Sequence, residues 1–187
     1  MEIKSNYTDT SHSIIDRCNN GDQKAFEELY IMYSKAMYNI ALRITNHTEA
    51  AQEVLQDAFL KAFENINRFD KKYSFGVWIK RIVINRSLDI LKKKKQNLLQ
   101  LNEDNIPEEV VIEEDEIIYD VEVVKKCILN LPDGYRTILS LILFEDYSHK
   151  EVSSLLGISE GTSKSQYNRA KKKLIELVKQ NSITHVR

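Results

Sequence analysis

Apolar positions recur at helical spacing over long segments of this chain, with little of the punctuation that short strands need. The 187 residues hold only 5 glycines and 2 prolines. Residues 49–66, EAAQEVLQDAFLKAFENI, set Leu55, Ala58, Phe59, Ala62 and Ile66 on one side of a helix and Glu53, Gln56, Asp57 and Lys61 on the other. Phe75, Trp78, Ile82 and Leu88 repeat the spacing. Farther on, Pro132 suits the first turn of a helix, where its missing N–H is not needed, and that helix carries Ile138, Leu139, Leu141, Ile142 and Phe144. The fold class is therefore all-α.

Residues 148–177 are the most informative. Ser148 and Glu151 make an S-x-x-E capping box ahead of Val152, Leu155 and Leu156, which starts a short helix. Gly157 suits a left-handed C-cap, Ile158 can plug a core, and Ser159 can cap a second helix. Helix, glycine turn, helix is the grammar of a helix-turn-helix. On the second helix Ser163, Tyr167, Ala170, Leu174 and Leu177 are expected to face inward, leaving Lys164, Ser165, Asn168, Arg169 and Lys172 outside. Such side chains reach base edges and phosphates in a major groove.

Composition sharpens this picture. The formal net charge is -1, so a nucleic-acid partner must be met by local patches. Lys80, Arg81, Arg86 and Lys92 to Lys95 form one, against the single acid Asp89; Lys164, Arg169 and Lys171 to Lys173 form another. Between them Glu103 to Glu122 carries acids and no base, a run that repels itself and that Pro107 keeps from becoming one helix. It reads as a linker, which when extended would reach up to about 80 Å. The segments implied are 1–97, the linker 98–120, and 121–187, each body with a modest core.

Other chemistries find little support. Cys18 and Cys127 are isolated, which fits a reduced compartment. Glu53 and Asp57 are spaced i, i+4 on an exposed face, E-x-x-H and H-E-x-x-H motifs are absent, and His47 and His149 lie in different segments, so neither a catalytic pair nor a metal site is expected. No cofactor or small-molecule substrate is implied. The opening residues lack an apolar core of a leader, and the longest apolar stretch, Ile138 to Phe144, is broken by Ser140, so a cytoplasmic protein without membrane insertion is expected. In NRFDKKYSFGVWIKRIVINRSLDILKKKK, Phe69, Tyr73, Phe75 and Trp78 are interleaved with cations, a combination suited to unpaired bases. Phe75 and Trp78 read as core first, leaving the cations and the loop from Asn67 to Ser74 for binding.

These residues together resemble the extracytoplasmic-function sigma factors of bacterial RNA polymerase. EVLQDAFLKAF followed by Phe75, Trp78, Arg81, Asn85 and Asp89 is similar to the family's region 2, and LPDGYRTIL followed by YSHKEVSSLLGISEGTSKSQYNRAKKKL to its region 4. The resemblance spans roughly residues 20–95 and 121–178. It implies a promoter-recognition subunit, not an enzyme, whose partners are core RNA polymerase, through the largest-subunit coiled coil and the flap, and promoter DNA. Glu53, Gln56 and Asp57, with Phe59 beside them, fall where the family docks on the coiled coil. Asn67, Arg68, Lys71, Lys72, Tyr73, Ser74, Lys80, Asn85 and Arg86 fall where it opens the minus-ten element. Thr162, Lys164, Ser165, Gln166, Asn168, Arg169 and Lys172 fall on the minus-thirty-five recognition helix. The resemblance also implies an anti-sigma factor, which could hold the protein at the inner membrane, and an acidic linker lying in polymerase channels. The familiar G-T-V-K-S-R-L reads G-T-S-K-S-Q-Y here, with Ser163 for a core valine and Gln166 for an arginine, a lost cation that weakens phosphate contact. A stand-alone helix-turn-helix regulator is the alternative that the C-terminal segment alone would also serve.

Overall fold

In the computed structural model, residues 3–94 and 120–182 are described, and they form two helical bodies, one within Met1–Lys95 and the other within Gln96–Arg187. The first contains α1 (Ile3–Asn19), α2 (Gln23–Thr45), α3 (Thr48–Glu64), a single 3-10 turn (Ile66–Arg68) and α4 (Phe75–Lys94). Helices α2, α3 and α4 pack on one another, and α1 lies chiefly against α2. The inner face of α3 is broader than its spacing suggested, because Ala50, Ala51 and Val54 are buried along with Leu55, Ala58, Phe59 and Ala62. Four alanines on that face let neighbouring helices approach closely. Leu29, Ala41 and Ile44 of α2 and Phe75, Ile79, Val83, Ile84 and Leu88 of α4 complete the core. Asp22 caps α2 by accepting from Lys24 N, and Asn46 ends it at φ 52°, a left-handed residue whose N–H reaches Leu42 O. Gly76 allows a close approach, since a Cβ there would stand 3.0 Å from the Tyr33 ring and the ring would have to shift.

The second body contains α5 (Val121–Leu129), α6 (Asp133–Leu143), α7 (His149–Leu156) and α8 (Glu160–Ser182). The long α8 is the spine against which α5, α6 and α7 pack. Leu131, Leu139 and Ala170 form one cluster with Tyr135, Leu174 and Leu177, and Val123, Cys127 and Val178 form a second. Of the apolar residues expected on α6, Ile138, Leu139 and Leu141 are buried, whereas Phe144, just past the helix end, is largely exposed. Pro132 sits at the cap position, one residue before the first turn. Arg136 is only 1% exposed. Its Nη1 donates to Leu131 O at 2.7 Å and its Nη2 to Asp133 Oδ1 at 2.6 Å, so one guanidinium binds the chain leaving α5 to the start of α6. The linker expected over 98–120 lies outside the described residues except for Asp120. That residue accepts from Glu122 N at 2.9 Å as the cap of α5, so it belongs to the helix.

Candidate nucleic-acid interface

The expected helix-turn-helix is built by local bonds at each of its joints. Ser148 N donates to Glu151 Oε2 at 2.8 Å, and Glu151 N donates to Ser148 Oγ at 3.3 Å. Ser148 Oγ also donates to Glu151 Oε2 at 2.6 Å, and this bond first, then the one from Ser148 N, holds the Glu151 carboxyl below its ordinary range. Gly157 closes α7 at φ 70° and ψ 34°, the left-handed pair that a Cβ disfavours. Ser159 Oγ then accepts from Thr162 N at 2.9 Å, which opens α8. With both ends of the turn fixed, α8 presents a set face to solvent.

On that face Lys164, Asn168 and Lys172 are exposed, while Thr162, Ser165 and Arg169 are half-buried. Lys164 Nζ meets Glu160 Oε1 at 2.8 Å, and this bond holds the Glu160 carboxyl below its ordinary range. Gln166 corrects the sequence expectation: only 3% of it is exposed, so it packs inward and cannot contact DNA from this position. The inward stripe runs through Ser163, Gln166 and Ala170, and Tyr167 is half-buried beside it. Gln166 Oε1 is buried without a hydrogen-bond partner. Ser163 is satisfied instead, with its Oγ 3.0 Å from His149 Nδ1 of α7.

In the first body the loop before α4 is tied down on both sides. Ser74 caps α4, its Oγ accepting from Val77 N at 3.3 Å, and Lys72 N donates to Asp70 Oδ1 at 3.0 Å. Lys71 pairs with Asp16 of α1, and His12 Nε2 lies 3.5 Å from Tyr73 O, so α1 holds the loop as well. Phe69, Phe75 and Trp78 pack on one another with centroids 5.3 to 6.1 Å apart. Phe75 is fully buried and Trp78 partly so, as the core reading expected. Tyr73 alone of the four interleaved aromatics is largely exposed, at 62%. Asn67, Arg68, Lys71, Lys72 and Asn85 are exposed, and Ser74, Lys80 and Arg86 half-buried.

Two assignments made separately in the sequence converge in space. Arg86 Nη2 of α4, expected toward DNA, stands 3.9 Å from Asp57 Oδ2 of α3, expected toward polymerase. The side chains are 40% and 49% exposed and the separation is long, so the pair itself contributes little. Glu53 and Gln56 are exposed beside Asp57. Phe59 is a correction: it is 3% exposed, edge-on to Tyr30 at 4.9 Å and to Phe63 at 5.5 Å, and is core. The exposed apolar side chain on that stretch is Leu60. Sequence spacing missed it because it sits among polar residues. Among the described residues no group of acidic, histidine and cysteine side chains could hold a metal ion, and no helix is long and apolar enough to cross a membrane.

Comparison with known proteins gives a consistent answer for both bodies. Residues 29–97 match sigma-70 region 2, and residues 122–174 match sigma-70, region 4. The chain is 30% identical to the ECF RNA polymerase sigma factor SigW of Bacillus subtilis, over 86% of this chain and 92% of that protein. It is 28% identical to SigM of Mycobacterium tuberculosis, over 84% and 79%, and 25% identical to the ECF sigma-E factor of Escherichia coli, over 87% and 91%. Among solved structures it shares its fold with the sigma factor RpoE in complex with the anti-sigma factor NepR from Bartonella quintana, at a TM-score of 0.54 and 22% identity, covering 83% of this chain and 98% of that one. CnrH in complex with the cytosolic domain of CnrY scores 0.53 at 22% identity, covering 89% and 96%.

Proposed function

The chain belongs to the extracytoplasmic-function sigma factors of the sigma-70 family, and from that premise we propose how its two bodies divide promoter recognition. As a member it is not an enzyme: it binds core RNA polymerase and directs transcription from particular promoters. In our reading α8 enters the major groove of the minus-thirty-five element. Lys164, Asn168 and Lys172 recur every fourth residue on its exposed side, with Arg169 and Ser165 alongside. The observation that carries this reading is the capped turn that fixes α7 and α8 while leaving that cationic stripe in solvent. Lys164 and Lys172 meet phosphates, and Arg169 reaches a base edge.

The loop from Asn67 to Ser74 takes the minus-ten element. Extruding a base costs a few kcal/mol of stacking, which a pocket and backbone cations must offset. Tyr73 supplies an exposed ring for stacking, and Lys71, Lys72 and Lys80 supply charge. Glu53, Gln56 and Asp57, extended by Leu60, form the polymerase-docking face. The acidic segment lies along a polymerase channel that otherwise holds nucleic acid. The protein works in the cytoplasm, and an anti-sigma factor covers these faces until it is released.

Arg169→Ala tests the assignment on α8. In full-length protein with core polymerase it is expected to lower discrimination at the upstream element by about 1–3 kcal/mol while leaving minus-ten preference intact. Competition among promoters with altered upstream elements measures it, and an unchanged ranking would refute base reading by Arg169.

A further inference from the structure

The two helices of the turn motif meet through a polar contact made by a residue outside both proposed DNA-contact sets. His149 is the first residue of α7, directly after the Ser148 cap, so its backbone is fixed by the capping box. Its Nδ1 lies 3.0 Å from Oγ of Ser163, which is fully buried in α8. Its ring also meets the Tyr167 ring edge-on, with 5.6 Å between centroids and 71° between planes. Ser163 and Tyr167 are one helical turn apart, so a single imidazole grips α8 at two heights on one side. Tyr167 in turn lies under Lys171, whose Nζ is 5.0 Å from the ring centroid.

An apolar contact at this place would fill space without choosing an angle. A hydrogen bond weakens steeply as its geometry departs from linear, and the ring edge restricts the same rotation a second time. The positions that follow Ser163 and Tyr167 in sequence, Lys164 and Asn168, are those that face solvent. Any rotation of α8 about its axis therefore carries them sideways across a groove. Burial first, and then the charge of Lys164, hold the imidazole below its ordinary pKa against the opposing pull of Glu160. At neutral pH the ring is uncharged, and in either tautomer it can complete the bond, since the serine hydroxyl both donates and accepts.

We propose that His149 is a positioning residue for promoter recognition: its bond to Ser163 and its edge contact with Tyr167 set the rotation of α8, and so decide which bases Asn168 and Arg169 meet. This rests on the reading of α8 as the minus-thirty-five recognition helix. The test uses the full-length protein with core polymerase and a promoter library randomised at the upstream element, and reads the ratio of transcripts from the preferred and second-ranked sequences. Ser163→Ala removes the hydroxyl, and His149→Phe keeps a ring but loses the bond. Each is expected to change that ratio by about fivefold, the worth of one neutral hydrogen bond. His149→Asn carries an amide where Nδ1 stood but loses the ring edge against Tyr167, so it is expected to change the ratio by less than His149→Phe does; a change as large would show that the bond to Ser163 does not set the angle. If Ser163→Ala and His149→Phe lower every transcript in parallel and leave the ranking intact, the contact is only structural and the proposal fails. Arg169→Ala in the same library separates this from failure of the underlying reading. If it flattens the ranking while the His149 and Ser163 variants do not, the positioning role alone is overturned; if it has no effect, the assignment of α8 falls and the proposal with it.

Discussion

Arg136→Ala is expected to remove about 3–5 kcal/mol from the stability of the second body, the typical cost of breaking a buried, hydrogen-bonded charge pair by deleting one partner. The guanidinium is 1% exposed and donates at 2.7 Å to Leu131 O and at 2.6 Å to Asp133 Oδ1. Deleting it takes the donor from a buried carbonyl and the ion-pair partner from a partly buried carboxylate, and leaves the space of a fully buried side chain unfilled. A body this small has only a few kcal/mol in hand, so most of α5 to α8 should melt. Urea unfolding followed by circular dichroism should show an early transition absent from wild type, with the transition of the first body unmoved. Arg136→Lys keeps the charge but not the planar fork, and should recover less than half of the loss. A change under about 1 kcal/mol for the alanine variant would show that the bonds seen here do not hold the second body together.

Reversing charge at Glu53 and Asp57 together should weaken binding to core polymerase roughly tenfold to hundredfold, the range expected when charges opposite a complementary surface change sign. The two variants are not equivalent. Glu53 is exposed on α3 and its replacement by lysine should leave the fold untouched. Asp57 faces Arg86 at 3.9 Å, and a lysine there puts two cations together next to a guanidinium Nε that is already buried without a partner. Glu53→Lys alone therefore isolates docking, and the double variant adds a small loss of stability. Binding of labelled protein to core enzyme measures both, and the defect should shrink as salt rises. Unaltered binding by either variant would remove this face from the polymerase interface.

The helix-turn-helix was legible residue by residue because its rules are local. Ser148 with Glu151, Gly157, and Ser159 each act within four residues, and each makes the bond or turn its chemistry predicts. What the sequence hid are the choices between equally good spacings and the contacts between distant segments. Ser163, Gln166 and Ala170 satisfy helical periodicity as well as Ser163, Tyr167 and Ala170 do, and only packing decides that the glutamine is buried and the tyrosine half-exposed. Phe59 and Leu60 are neighbours in sequence, yet the first is core and the second surface. Lys71 finds Asp16 across 55 positions, and His12 finds the backbone of Tyr73 across 61. No period along the chain encodes such pairs, which is why α1 and its hold on the loop before α4 were not anticipated. The pairing of His149 with Ser163 belongs to the same class, a polar match across two helices at a position where spacing asked only for something small and inward.

The measurement that bears most directly on the whole account is transcription in vitro by core polymerase on a library of source genomic DNA, with and without this protein. The account predicts discrete start sites that depend on the protein and share two sequence elements, one contacted by each helical body. Tight binding to duplex promoters without core enzyme, and no protein-dependent transcripts when core enzyme is present, would contradict it.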